Sequence, residues 1–189
     1  MPPADPQVSD EQLILAYRGG DADAFAALYG RHKGGLFRFM LRSVRDRASA
    51  EELFQEVWMK LIDARGRYGP QAKFSTFLYT IAHNRMIDHW RRRGLEAVSL
   101  DEEGAIEPPA PASTQPERRA ELNETGERLL AALAGLPALQ RETFLLHEES
   151  GLSVAEIAAA TGTGLEAAKS RLRYAIAKLR EALADERAQ

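Results

Sequence analysis

Residues Ser153 to Arg173 (SVAEIAAATGTGLEAAKSRLR) read as two short helices joined by a glycine-containing turn. Ser153 and Glu156 make a Ser-x-x-Glu capping box, and Thr163 and Glu166 repeat that spacing at the start of the second helix. Gly162 and Gly164 supply the turn between them. On the second helix Ala168, Leu172, Ala175, Leu179 and Leu183 recur at three- and four-residue spacing and form an apolar seam. Lys169, Ser170 and Arg173 lie off that seam and Arg171 on its flank, so they can face a partner. Arg and Lys pair with guanine edges or phosphates, and Ser serves either as donor or acceptor, which is the equipment of a major-groove reader. A solvated helical hairpin is the plain alternative; the coincidence of two caps, a turn and a basic face argues against it.

A net charge of −3 and a pI near 5.9 look wrong for a free-standing DNA binder, and the distribution resolves this. Residues 65–93 hold seven Arg or Lys against Asp88, a local +6. Residues 94–127 hold nine acids against Arg118 and Arg119, a local −7, and residues 164–180 return to +4. The acidic stretch opposes the counterion release that the basic stretches would drive, so the free chain is expected to bind duplex DNA weakly and to need a partner.

The same boundaries organise the chain, which is expected to be all-α. Pro108, Pro109, Pro111 and Pro116 interrupt a segment with few large apolar residues, so 94–117 is expected to be a flexible acidic linker between helical units at 9–93 and 118–186. In the first unit, Ser9 with Gln12 caps a short helix ending at Gly19 and Gly20. A second helix starts at Asp21 or Asp23, its middle weakened by Gly30, Gly34 and Gly35 at about 1 kcal/mol each. Ser49 with Glu52 caps a third, and a fourth runs from about Ser75 to Arg93. In the second unit Leu122 to Leu133 forms one helix and Pro137 opens another, ahead of the helical pair at Ser153.

The fourth helix carries a second chemical signal. KFSTFLYTIAHNRMIDHWRRR interleaves Phe74, Phe77, Tyr79 and Trp90 with Lys73, Arg85, Arg91, Arg92 and Arg93. Aromatic faces stack unpaired bases while cations track phosphates, a combination suited to single-stranded nucleic acid. The plain alternative for part of this helix is core packing, for which Phe77, Ile81 and Ile87 are the first candidates; Phe74, Phe77 and Tyr79 are balanced between core and DNA.

Other classes are poorly supported. No Cys is present, which removes disulfides and thiolate metal sites. His32, His83, His89 and His147 do not pair at helical metal-ligand spacing, and no phosphate loop or nucleophile motif appears, so neither an enzyme nor a metal or cofactor is expected. No apolar run approaches the ~20 residues that span a bilayer, and MPPADPQVSDEQ lacks the parts of a secretory signal, so the expected location is cytoplasmic with no membrane insertion.

Three runs together resemble a known family: DRASAEELFQEVWMKL (Asp46 to Leu61), FSTFLYTIAHNRMIDHWRRR (Phe74 to Arg93), and SVAEIAAATG with KSRLR. They are similar to the extracytoplasmic-function group of bacterial RNA polymerase sigma factors, in order and over about Gln12 to Leu183. The resemblance implies that the first unit is a region-2 domain, which docks on the polymerase clamp and captures the melted −10 element. The second is implied to be a region-4 domain, which sits on the polymerase flap and reads the −35 element. By position it implies a core-polymerase face of Glu51, Glu52, Gln55, Glu56, Trp58 and Met59. It implies a −10 surface from the 66–73 loop, with Tyr68 and Lys73, and from Phe74, Ser75, Asn84, Asp88, Arg91, Arg92 and Arg93. It implies a −35 surface of Glu166, Lys169, Ser170, Arg171 and Arg173, partners in core polymerase and promoter DNA, and an anti-sigma factor as a further candidate. The chain departs from the group's usual pattern at Phe77, at His83 and at Glu166, Ala167 and Ala168, positions of the kind on which base discrimination rests. A helix-turn-helix regulator acting without polymerase, or an adaptor that sequesters a transcription protein, are the alternatives.

Overall fold

The computed structural model describes residues 8–44, 46–93 and 124–184; the expected linker lies outside them. Among the described residues there are eight α-helices and no strand: α1 (Asp10–Arg18), α2 (Ala22–Val44), α3 (Arg47–Ala64), α4 (Phe74–Arg92), α5 (Glu124–Gly135), α6 (Ala138–Ser150), α7 (Val154–Thr161) and α8 (Leu165–Ala184), with one 3-10 turn at Arg65–Arg67.

The helix starts follow local chemistry. The Ser9 hydroxyl accepts from the Gln12 amide and Gln12 Oε1 from the Ser9 amide, completing the box at α1. Asp21 Oδ1 accepts from the Asp23 and Ala24 amides at the head of α2. At α3 the cap is Asp46 rather than the expected Ser49: its carboxylate accepts from the Ser49 amide and hydroxyl at 3.0 and 2.5 Å. A carboxylate three residues upstream outcompetes a hydroxyl for the positive end of the helix. The box at Ser153 and Glu156 forms as read. At α8 the helix begins one residue late, because Ala168 bonds to the Gly164 carbonyl and so makes Gly164, not Thr163, the cap position. Gly151 and Gly162 close α6 and α7 at φ +66° and +63°, a region where a side chain would be strained.

Helices α1–α4 and α5–α8 lie on either side of the segment 94–123, yet they share one hydrophobic core. Helix α6 packs on α2 and α7 packs on α4. Leu36, Phe39 and Met40 of α2, Leu78 and Ala82 of α4 and Leu145 and Leu146 of α6 are all fully buried in that common cluster. Each large apolar side chain buried this way contributes about 1.5–3 kcal/mol. Gly35 shows why α2 tolerates a glycine in mid-helix: a Cβ there would stand 3.3 Å from the Glu149 carbonyl oxygen and 3.5 Å from Tyr79 Oη. The residue read as a helix weakness is the point at which α6 closes on α2.

Candidate nucleic-acid interface

The C-terminal end of α4 presents Arg91, Arg92 and Arg93 to solvent. Arg93 Nη2 donates to Ser49 Oγ at 3.1 Å and lies 3.8 Å from Asp46, while Arg92 lies 4.0 Å from Glu56. Glu56 of α3 and Asp46 at its cap therefore steady Arg92 and Arg93 beside a helix C-terminus, which itself favours positive charge. Burial and the neighbouring Arg93 and Arg92 push the His89 imidazole below its ordinary value. Asn84 is exposed, Ser75 is half-buried, and Asp88 pairs with Arg85 at 2.5 Å.

Burial reassigns three residues expected at surfaces. Phe74 is 0%, Tyr68 2% and Trp58 5% exposed, so none is available to DNA or polymerase in this conformation. The Phe74 ring packs against His32 with centroids 5.0 Å apart. Tyr68 meets Phe77 edge-on at 5.3 Å, and its hydroxyl donates to the Ala72 carbonyl. Trp58 lies edge-on to Phe25 at 5.8 Å and 4.9 Å from Tyr29. Rings of this size gain more from burial than from a solvated face. Tyr79 joins the core as well, against Phe39, and burial pushes its phenol up. The expected polymerase face is reduced to Glu51, Glu52, Gln55, the half-buried Glu56 and Met59, whose 66% exposure is large for an apolar residue.

On α8 the seam residues Ala168, Leu172, Ala175 and Leu179 are buried, which turns Lys169 and Arg173 outward. Lys169 pairs with Glu166 at 2.7 Å, the Arg173 guanidinium rests 5.3 Å from the Tyr174 ring, and Ser170 and Arg171 are half-buried. Lys169, Arg173 and Arg180 rim an open groove floored by Leu172, Ile176 and Val154.

Sequence reasoning missed the contacts that tie α1–α4 to α5–α8. His83 Nδ1 lies 2.8 Å from Glu142 Oε1, Arg141 Nη2 donates to the Ser43 carbonyl at 3.1 Å, and Glu149 receives both Arg38 at 2.8 Å and Arg42. Lys73 Nζ stands 2.6 Å from Glu156 Oε1. That ammonium, with the Ser153 hydroxyl and amide, holds the Glu156 carboxyl at about 2. Glu142 and Glu149 stand two turns apart on α6 and Glu156 follows on α7, so the three acids come from two helices.

Residues 28–96 match the profile of Sigma-70 region 2, and residues 126–179 that of Sigma-70 region 4. The RNA polymerase sigma factor CarQ of Myxococcus xanthus is 36% identical over 89% of this chain and 94% of its own. The chain belongs to the extracytoplasmic-function group of bacterial RNA polymerase sigma factors. The ECF RNA polymerase sigma factor SigK of Mycobacterium sp. (strain KMS) is 32% identical over 86% of this chain and 84% of its own. Among solved structures, the sigma factor RpoE in complex with the anti-sigma factor NepR from Bartonella quintana superposes with a TM-score of 0.65 at 26% identity, over 86% of this chain and 98% of that one. As a sigma factor of this group the chain directs promoter-specific transcription initiation, and the region-4 match takes in α7 and α8 as far as residue 179.

Proposed function

We propose that the 9–93 unit binds core polymerase through the exposed acids and Met59 of α3 and captures the −10 strand through the 66–73 loop with Lys73, Ser75, Asn84, Asp88 and Arg91 to Arg93. The 118–186 unit reads the −35 duplex through Glu166, Lys169, Ser170, Arg171 and Arg173 on α8. The packed arrangement is then the form that cannot do both. The two elements are some two dozen base pairs apart by their names, roughly 80 Å along B-DNA. A compact chain of this length has a radius of gyration of roughly 16 Å. Core polymerase separates the units, and an anti-sigma factor would act by holding them together.

The observation that carries this reading is the Lys73–Glu156 pair, in which a cation of the −10 loop is neutralised by an acid of the helix-turn-helix at 2.6 Å. The test compares promoter fragments bound by the chain alone and by the chain on core polymerase at physiological salt. Weak binding alone and specific binding on core supports the reading; tight, specific binding by the free chain overturns it.

A further inference from the structure

Helix α1 lies ahead of the residues that match region 2, which begin at 28. Its contacts converge on one loop. The Phe74 amide donates to Glu11 Oε1 at 3.0 Å, Arg18 Nη1 reaches the Tyr68 carbonyl at 3.5 Å, and the Arg65 guanidinium lies 5.3 Å from the Tyr17 ring. The loop from Gly66 to Lys73 is thereby held at its start, its middle and its exit by one nine-residue helix.

The contact at the exit replaces a missing local one. Lys73 occupies the cap position of α4 and makes no side-chain cap, so the carboxylate that satisfies the first turn comes from a residue 63 positions earlier. The Phe74 amide in turn holds the Glu11 carboxyl below its ordinary range, and an anion at that place complements the helix dipole. The brace is itself anchored: Asp10 accepts from Arg31 at 2.7 Å and lies 2.6 Å from His32, whose ring packs on Phe74. Glycines at 66 and 69 leave the loop many alternative conformations once released, and a binding loop that is already ordered loses less on capture.

We propose that α1 is a brace for single-strand capture and that Glu11 is its positioning residue, setting the 66–73 loop in the shape that receives an unstacked −10 base. This rests on the reading of that loop as the −10 surface.

The test uses the full chain assembled on core polymerase, as wild type, Glu11→Ala and Glu11→Gln. The probes are a short single-stranded DNA and a duplex, each selected by the wild-type holoenzyme from a randomised pool, the single strand carrying 2-aminopurine to report unstacking. Glu11→Ala should weaken single-strand binding roughly tenfold and lower the 2-aminopurine signal at saturation, with duplex and core affinities unchanged. Glu11→Gln keeps an amide oxygen for the Phe74 amide and should stay within about threefold of wild type. Equal single-strand binding and signal in Glu11→Ala overturns the proposal. So does an equal loss on single strand, duplex and core, which marks Glu11 as a stabiliser of the fold alone. Selection of no single strand by the wild-type holoenzyme defeats the −10 reading itself, and shows in that arm without any variant.

Discussion

His83 on α4 and Glu142 on α6 meet at 2.8 Å with side chains only 7% and 2% exposed, a buried polar pair made by residues 59 positions apart. Neither partner has water to fall back on, so the pair couples the stability of α1–α4 to that of α5–α8. His83→Ala leaves a buried carboxylate unpaired and should cost about 3 kcal/mol. The expected result in urea unfolding is a transition that moves to lower denaturant and loses its single-step form as the halves come apart. A shift below about 0.5 kcal/mol with one step retained would contradict it.

Glycines in α2 should answer differently when a side chain is added. Gly30 has open space around its would-be Cβ, so Gly30→Ala should stabilise by about 1 kcal/mol through helix propensity. Gly35 faces the Glu149 backbone at 3.3 Å, so Gly35→Leu should separate α6 from α2 instead. Small-angle scattering checks this, and an unchanged radius of gyration in Gly35→Leu is the adverse outcome.

Adjacent residues on α3 divide stability from binding. Trp58→Ala should cost about 3–5 kcal/mol in unfolding, because a buried ring leaves a cavity. Met59→Ala, at 66% exposure, should leave stability within about 0.5 kcal/mol while weakening core polymerase binding by about 1–2 kcal/mol. Equal polymerase affinity for wild type and Met59→Ala removes α3 from the proposed interface.

The Lys73–Glu156 contact implies an acid limit for the packed form. An ordinary glutamate titrates near 4.5 and Glu156 is held at about 2, so the folded-state value is depressed. Its contribution, of which Lys73 supplies the part that depends on packing and Ser153 the part local to α7, is complete above the ordinary value and disappears as pH falls from about 4.5 through about 2. A fluorescence energy-transfer pair across the two halves should show Glu156→Gln less closed than wild type at neutral pH, with the difference shrinking through that window. A difference independent of pH would exclude the ion pair as its cause.

The −35 surface proposed on α8 predicts how salt acts on DNA binding if Lys169 meets a phosphate. In the holoenzyme Lys169→Ala should lower the slope of log affinity against log salt by about 1, with affinity falling similarly across sequences. Loss confined to one base pair, with the slope retained, assigns Lys169 to base reading instead.

Much of this molecule was legible in its residues because the signals involved are local. Capping boxes at Ser9 and Ser153, left-handed closure at Gly162, and the apolar seam from Ala168 to Leu179 depend on neighbours within four positions. The exposed arginines that end α4 follow from the same helical period. Tertiary structure alone decided that Phe74, Tyr68 and Trp58 are core and that Gly35 is a point of close approach. It also decided that Glu142, Glu149 and Glu156 tie one half to the other and that Glu11 caps a helix 63 residues away. Local propensity sets what each segment becomes; which of its faces is buried, and by what, depends on surfaces brought together by the collapse of the whole chain.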